Sequence, residues 1–100
     1  MNVTRQEENG TLTLLVEGRL DTTTAPQLEE QIPAGTQIQT LILDLSKLEY
    51  VSSAGLRVLL CAQKQMSAQG GKLIVKNAQD AVLEVFEITG FNDILTLEHD

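Results

Sequence analysis

An apolar segment, a long helix and a second apolar segment occur in succession, and this pattern constrains the fold more than any other feature. Residues 41–45 form an apolar run interrupted only by Asp44, and the segment 40–45 is apolar on both faces, as in a central strand covered on both sides. A polar loop is predicted at residues 46–49, a helix at 54–69, and another strand at 72–76. Strands joined through a helix need a crossover connection and lie parallel.

The rest of the chain extends this pattern in both directions. Asn9-Gly10 is a strong hairpin signal between strands predicted at residues 2–8 and 11–16. A short helix is expected to begin with a capping box from Thr24 to Gln27. It should run to about Ile32 and stop at the Pro-Ala-Gly of residues 33–35. A third helix to Thr89 and a last strand at 94–97 complete the order. We therefore predict one α/β domain, residues 1–100, with a mixed, mostly parallel sheet opened by a β-hairpin and alternating helices.

The long helix has a clear apolar side. Gly55, Leu59, Ala62 and Met66 share one stripe, with Leu56 at its edge. The opposite side carries Arg57, Cys61 and Lys64, and Gly70 is the expected residue after the helix end.

Composition excludes several functions. The chain has 14 acids against 7 bases, a formal net charge of -7, and only 3% aromatic residues. Such a chain repels a phosphate backbone and lacks stacking side chains, so no direct nucleic-acid partner is expected. No apolar run approaches the ~20 residues that span a bilayer, and residues 1–8 contain no apolar h-region, so no secretory signal is expected. With a single cysteine, the chain is expected to be cytoplasmic and not inserted in a membrane.

Three polar side chains are predicted at one edge of the sheet, where ligands and modifications collect in α/β folds. Asp21 follows the second strand, Asp44 is placed at the end of the third, and Ser53 lies at the start of the long helix. Each has a purely structural interpretation. Ser53 or Ser52 could be the N-cap of the helix, Asp44 could bond loop amides, and Asp21 could belong to a turn.

Phosphorylation is the functional interpretation of Ser53. A helix N-terminus presents unpaired N–H groups and partial positive charge, so it accommodates a phosphate without loss of the fold. Gly55 is expected to leave the backbone open to a kinase. The added charge would change docking with a partner and leave the core intact.

Catalytic interpretations have little support. The only histidine, His99, is near the C-terminus, and Cys61 is in the middle of a helix. No residue cluster has metal-ligand spacing, and no cofactor is expected. An aspartyl-phosphate site at Asp44 with Lys76 would need further acids after the first strand, where Asp21 stands alone. The chain is therefore not expected to be an enzyme.

Several segments in this order resemble STAS domains, specifically bacterial anti-sigma factor antagonists. The signature is the Leu-Asp-Leu-Ser of residues 43–46 followed by Tyr-Val-Ser-Ser-Ala-Gly-Leu-Arg-Val-Leu-Leu at 50–60. Gly-Arg-Leu-Asp at 18–21, Gly-Gly-Lys-Leu at 70–73 and Thr-Gly-Phe at 89–91 are similar to the family's other landmarks. The similarity covers nearly the whole chain.

The resemblance implies a switch. The unphosphorylated antagonist would bind an anti-sigma factor that is also a serine kinase and so free a sigma factor. Phosphorylation of Ser53 would release the antagonist, and a metal-dependent protein phosphatase would reset it. The family often has Asp before the target serine and Ser after it, where this chain has Ser52 and Ala54, so Ser52 is the alternative target. The expected partner-binding residues are Asp21, Thr22, Ser52, Ala54, Gly55, Leu56, Arg57 and Leu60.

A second hypothesis belongs to another class of protein. The chain could be a STAS binding or scaffold subunit that does not switch, in a stressosome-like or lipid-transport assembly. The serine would then be only a helix cap or a contact residue.

Overall fold

The computed structural model describes residues 1–33 and 37–100, and its element order is the predicted one. The strands are β1 (Asn2–Glu8), β2 (Thr11–Leu20), β3 (Thr40–Val51), β4 (Lys72–Lys76) and β5 (Thr96–Glu98). The helices are α1 (Ala25–Gln31), α2 (Ser53–Ala68) and α3 (Asp80–Thr89), and a 3-10 turn at Phe91–Asp93 precedes β5.

The five strands form one mixed sheet in the order β1-β2-β3-β4-β5. β1 and β2 are antiparallel, and every later pairing is parallel. The hairpin turns at Asn9 and Gly10, whose φ angles of 52° and 81° suit an Asn-Gly turn. The predicted mixed, mostly parallel sheet opened by a hairpin is thus confirmed.

The core lies on one side of this sheet, which we call the helix face. Alternate residues of β2 and β3, such as Leu12, Leu14, Leu41 and Leu43, join buried residues of all three helices in a single apolar cluster. Leu15, Ile42 and Ile74 alternate with them and are outside that cluster, although Ile74 is only 8% exposed. The expectation of a central strand covered on both sides was therefore wrong. Strands that follow one another across the sheet through crossovers of one hand bring every helix to the same face.

β3 is longer than predicted, because residues 46–49 form part of the strand and not a loop. The β2–β3 register shifts twice, between Leu15 and Glu17 and between Gly18 and Arg19. At each shift β3 uses one residue more than β2, as in a β-bulge. The inward residues of β3 after Leu43 are therefore Leu45, Leu48 and Val51, three residues apart and all buried.

The helices keep their predicted faces. In α2 the apolar stripe is buried, whereas Arg57, Cys61 and Lys64 are exposed. Gly70 follows the C-cap Gln69 with φ 77°, as expected of the residue after a helix. α3 buries Val82 and Phe86 and ends at Gly90.

The start of α1 differs from the prediction. Thr24 is the N-cap residue, but its side chain makes no capping bond, so the predicted capping box is wrong. Its hydroxyl donates to the carbonyl oxygen of Arg19 at 2.8 Å. α1 ends at Gln31, one residue before the predicted end, and the Ala-Gly part of the predicted stop lies outside the described residues.

Candidate functional site

The candidate site is the point where β2 and β3 end together and α2 begins. Leu20 and Val51 are the last paired residues of the two strands. The Ser52 N–H donates to the Leu20 carbonyl oxygen at 2.8 Å, which extends the pairing by one step. Ser52 is thereby held in an extended conformation, with φ −94° and ψ 176°, immediately before the first helical residue.

Ser52 is the N-cap of α2. Its Oγ accepts a hydrogen bond from the Gly55 N–H at 3.3 Å, and its carbonyl oxygen accepts from the Leu56 N–H at 2.9 Å. The Gly55 N–H, a first-turn donor with no carbonyl partner within the helix, is thus satisfied by the Ser52 side chain, and the Leu56 N–H makes the first backbone bond of the helix. The alternative in which Ser53 caps the helix is excluded by this geometry.

Ser53 is the first residue of α2, and it is exposed. Within residues 1–33 and 37–100, its hydroxyl forms no hydrogen bond that satisfies normal geometry. The first turn contains no acid, so the positive end of the helix dipole is not neutralised by a side chain of that turn. A hydroxyl in this position can receive a phosphoryl group without breaking a hydrogen bond within the described residues.

Gly55 is buried and brings α2 close to the strand ends. A Cβ at this position would lie 2.7 Å from the Cγ of Leu20 and 2.9 Å from Cγ2 of Val51. The absence of a side chain therefore serves the packing of α2 on the sheet. This differs from the expectation that Gly55 leaves backbone open to a kinase.

Asp21 organises the turn between β2 and α1. Its Oδ1 accepts from the N–H groups of Thr23 at 3.0 Å and Thr24 at 3.1 Å. The hydrogen bond from the Thr24 N–H, with smaller contributions from the Thr24 hydroxyl, Thr23 and Arg19, holds the pKa of Asp21 below its ordinary value of 3.8, although desolvation opposes them. The structural interpretation of Asp21 as a turn residue is confirmed, and it stands next to Leu20 at the candidate site.

Asp44 does not belong to this edge, so its predicted position was wrong. It is seven residues before the end of β3, roughly 20 Å along the strand, and it pairs with Leu15 and Lys76. Its Oδ1 accepts from the Ser46 N–H at 2.9 Å. This local bond agrees with the structural interpretation of Asp44.

The expected partner-binding residues differ in accessibility. Thr22 and Arg57 are exposed, and Arg57 is one helical turn after Ser53. Gly55 and Leu56 are buried and support the surface from below. The half-buried members are Asp21, Ser52, Ala54 and Leu60.

Two residues at this end of the sheet were not anticipated from the sequence. Arg19 and Tyr50 face each other across β2 and β3, one step before the Leu20–Val51 pair. The Arg19 guanidinium carbon lies 4.3 Å from the centre of the Tyr50 ring, a cation–π contact. Tyr50 is 39% exposed, and because Leu20 and Val51 point into the core, the Arg19–Tyr50 pair lies on the opposite side of the sheet from the start of α2.

Residues with catalytic potential do not gather here. Cys61 is exposed on α2, and His99 is exposed after β5. Among the described residues, no three or more His, Cys, Asp or Glu side chains are placed to hold a metal ion. None of the helices in the same residues has the length and apolarity needed to cross a bilayer.

The family model of the STAS domain matches residues 2–100, and the chain belongs to that family.

Two curated relatives are similar over nearly their whole length. The putative anti-sigma factor antagonist BtrV of Bordetella bronchiseptica is 38% identical over 96 residues, which cover 94% of this chain and 83% of the relative. The anti-sigma-B factor antagonist of Bacillus subtilis is 30% identical over 98 residues, or 97% of this chain and 90% of that protein.

The fold is similar to that of the anti-sigma factor antagonist SpoIIAA, a Bacillus cell fate determinant. The unphosphorylated form gives a TM-score of 0.83 at 20% identity and covers 97% of this chain and 88% of SpoIIAA. The phosphorylated form gives 0.76 at 19% identity and covers 97% and 91% of the two chains.

Proposed function

We propose that this protein is an anti-sigma factor antagonist controlled by phosphorylation of Ser53. The observation that carries the proposal is the division of roles between two neighbouring serines at the start of α2. Ser52 caps the helix, whereas the exposed Ser53 hydroxyl forms no hydrogen bond among the described residues. The names of the relatives and the solved phosphorylated form of SpoIIAA support the same assignment.

In its unphosphorylated form the protein binds an anti-sigma factor that is also a serine kinase. The docking surface is the start of α2 with the adjoining turn, including Asp21, Thr22, Ala54, Arg57 and the half-buried Leu60. The partner is thereby withdrawn from its sigma factor, which becomes available to RNA polymerase. The chain acts as a substrate and a ligand in this cycle, not as an enzyme.

Phosphorylation ends the interaction by charge and bulk at the contact. A phosphoserine carries about −1.5 to −2 charges at pH 7 and three strong acceptor oxygens. At the first position of α2 that charge is favourable for the helix, because it faces the positive end of the dipole. The same group is unfavourable to a partner that fits closely around the Ser53 hydroxyl. A metal-dependent protein phosphatase then removes the phosphate and restores binding.

The decisive experiment measures phosphate transfer to each serine. The purified protein is incubated with its candidate kinase and Mg-ATP, and intact mass is recorded for wild type, Ser53→Ala and Ser52→Ala. We expect one added phosphate in wild type and Ser52→Ala, and none in Ser53→Ala. If only Ser52→Ala fails to take up phosphate, the phosphorylated residue is Ser52 and not Ser53.

A binding measurement completes the test. Ser53→Asp should bind the kinase more weakly than wild type while unfolding at a similar temperature. If no candidate kinase labels any form, yet the partner binds all forms equally, the protein is a STAS subunit that does not switch.

A further inference from the structure

The side of the sheet opposite the helices, which we call the open face, has its own pattern of apolar and charged residues. Ile42 and Ile74 are directly paired on β3 and β4, and Leu15 lies diagonally across on β2. These three form an apolar strip that is separate from the main core cluster. Since one face of this sheet is already packed on helices, the strip is the natural starting point for a second layer.

The open face is nearly neutral in a strongly acidic chain. Strand alternation and register place five acids and four bases on it, including Glu49, which with Tyr50 lies between the inward residues Leu48 and Val51. The rest of the chain holds the other nine acids and three bases and so -6 of the net charge of -7. Electrostatic repulsion between two copies of this chain is therefore weakest when they meet through the open face. The nine residues are Glu8, Glu17, Asp44, Glu49, Glu98, Arg19, Lys47, Lys72 and Lys76.

Two of these charges are complementary across the face. Glu8 on β1 and Lys72 on β4 belong to one row, which runs through Thr11 and Thr40. They are three strand spacings apart, about 14 Å, so they do not reach each other. Within residues 1–33 and 37–100 neither forms an ion pair, in contrast to Glu17 with Lys47 and Lys76 with Asp100.

A depression marks the Glu8 corner of the open face. It has a volume of about 390 Å³. It is lined by the polar residues Gln6, Glu8, Asn9, Thr11 and Thr13. A lysine side chain is the complementary occupant, because carboxylate, amide and hydroxyl oxygens all accept bonds from an ammonium group.

We propose that the open face binds a second copy of this chain in an isologous dimer. A two-fold axis parallel to the strands, between β2 and β3, lays β1 of one copy over β4 of the other. Lys72 of each copy then enters the depression beside Glu8 of the other, and the two apolar strips meet near the axis. The start of α2 lies on the other side of the sheet, so this dimer leaves Ser53 accessible.

The size of the face predicts a weak, reversible dimer. With the axis between β2 and β3, the four strands β1 to β4 overlap; at about 4.8 Å apart, with about seven paired residues along them, they give an overlap of roughly 14 by 23 Å. This area is below the roughly 800 Å² that each partner buries in a standard stable interface. We expect a dissociation constant on the order of 100 μM, which rises with salt because the corner pairs are exposed.

A charge-exchange experiment tests the pairing. Sedimentation equilibrium up to about 1 mM protein should show dimers of wild type, whereas Glu8→Lys alone and Lys72→Glu alone should be monomers, because each symmetric pair becomes repulsive. An equimolar mixture of the two variants should dimerise again, since both corners of the mixed dimer join opposite charges. The control mixture is Glu84→Lys with Lys64→Glu, which has the same net charges but carries the changes on exposed positions of α3 and α2. We expect the control mixture to dimerise no more than its two variants do separately, unlike the test mixture.

Each other result overturns the proposal. A monomeric wild type at 1 mM excludes the dimer, and single variants that still dimerise place the contact elsewhere. Monomeric single variants whose mixture stays monomeric exclude the two-fold pairing of Glu8 with Lys72. Thermal unfolding of every variant tests whether the fold is retained.

In the wild type, methyl NMR signals of Leu15, Ile42 and Ile74 should shift with protein concentration, while those of buried Leu14 and Leu43 should not.

Discussion

The Oγ of Ser52 accepts a hydrogen bond from the Gly55 N–H at 3.3 Å, and this contact assigns different roles to two adjacent serines. Ser52 closes the first turn of α2, whereas Ser53, one position later, projects from the helix surface. The structural role thus falls to Ser52 and the proposed regulatory role to Ser53, within one dipeptide. The separation means that the two hydroxyls can be removed independently, with different consequences.

Removing the Ser52 hydroxyl should destabilise the protein, and removing that of Ser53 should not. Loss of an N-cap costs about 0.5–2 kcal/mol, so Ser52→Ala should lower the free energy of unfolding by about 1 kcal/mol. Ser53→Ala changes an exposed side chain and should remain within about 0.5 kcal/mol of wild type. Urea unfolding followed by circular dichroism measures both, and equal losses in the two variants would contradict the assigned roles.

Adding one methyl group at Gly55 should loosen the contact between α2 and the strand ends. Its Cβ would be 2.7 Å from Leu20 Cγ, which is branched and fully buried. Overpacking of this kind costs about 1–3 kcal/mol, although alanine gains up to about 1 kcal/mol in helix propensity over glycine. We expect Gly55→Ala to lower the free energy of unfolding by a net amount of about 1–2 kcal/mol. Arg57→Ala, exposed on the same helix, is the matched control and should change stability by less than about 0.5 kcal/mol.

The order of elements was predictable from the sequence, because helix periodicity and turn residues are local signals. Asn9-Gly10 fixes the hairpin, and the stripe through Leu59, Ala62 and Met66 fixes the buried side of α2. The second half of β3 was missed for a physical reason. Two bulges place the inward residues Leu45, Leu48 and Val51 at intervals of three, so the alternation by two that identifies a strand is absent.

This missed half-strand also misplaced part of the candidate site. Because β3 was predicted to end at Leu45, Asp44 was expected beside Ser53. The contact between Arg19 and Tyr50 could not be predicted for the same reason. The position of the serines at the helix start was nevertheless predicted. Which of the two serines caps the helix could not be predicted, since serine is a good N-cap at either position. The choice depends on the bond from the Ser52 N–H to Leu20, which a tertiary pairing of two strands supplies.

A negative charge at position 53 should leave the fold intact and slightly strengthen α2. An acid in the first turn interacts favourably with the helix dipole by about 0.3–1 kcal/mol. Arg57 follows four residues later, the favourable order for an acid–base pair worth about 0.2–0.5 kcal/mol. Ser53→Asp should therefore be equal to or more stable than wild type, with a smaller gain in an Arg57→Gln background or in high salt. Urea unfolding of the four variants in a double-mutant cycle measures the coupling between positions 53 and 57. A Ser53→Asp protein that unfolds would show that the hydroxyl is structural.

The charge of Asp21 should contribute to stability only above acid pH. The Thr24 N–H and its neighbours hold the pKa of Asp21 in the folded protein below its ordinary value of 3.8. A group whose pKa is lowered by folding stabilises the protein fully above its unfolded pKa, about 3.9, and loses this contribution as pH falls through the folded pKa. Asp21→Asn keeps an acceptor oxygen for the turn but removes the charge. Its Tm should lie below that of wild type at pH 7, and the difference should vanish as the pH is lowered past the folded pKa of the wild-type carboxyl. Thermal unfolding from pH 7 down to about pH 2.5 measures this convergence, and a constant difference over that range would show that shape, not charge, is what the turn requires.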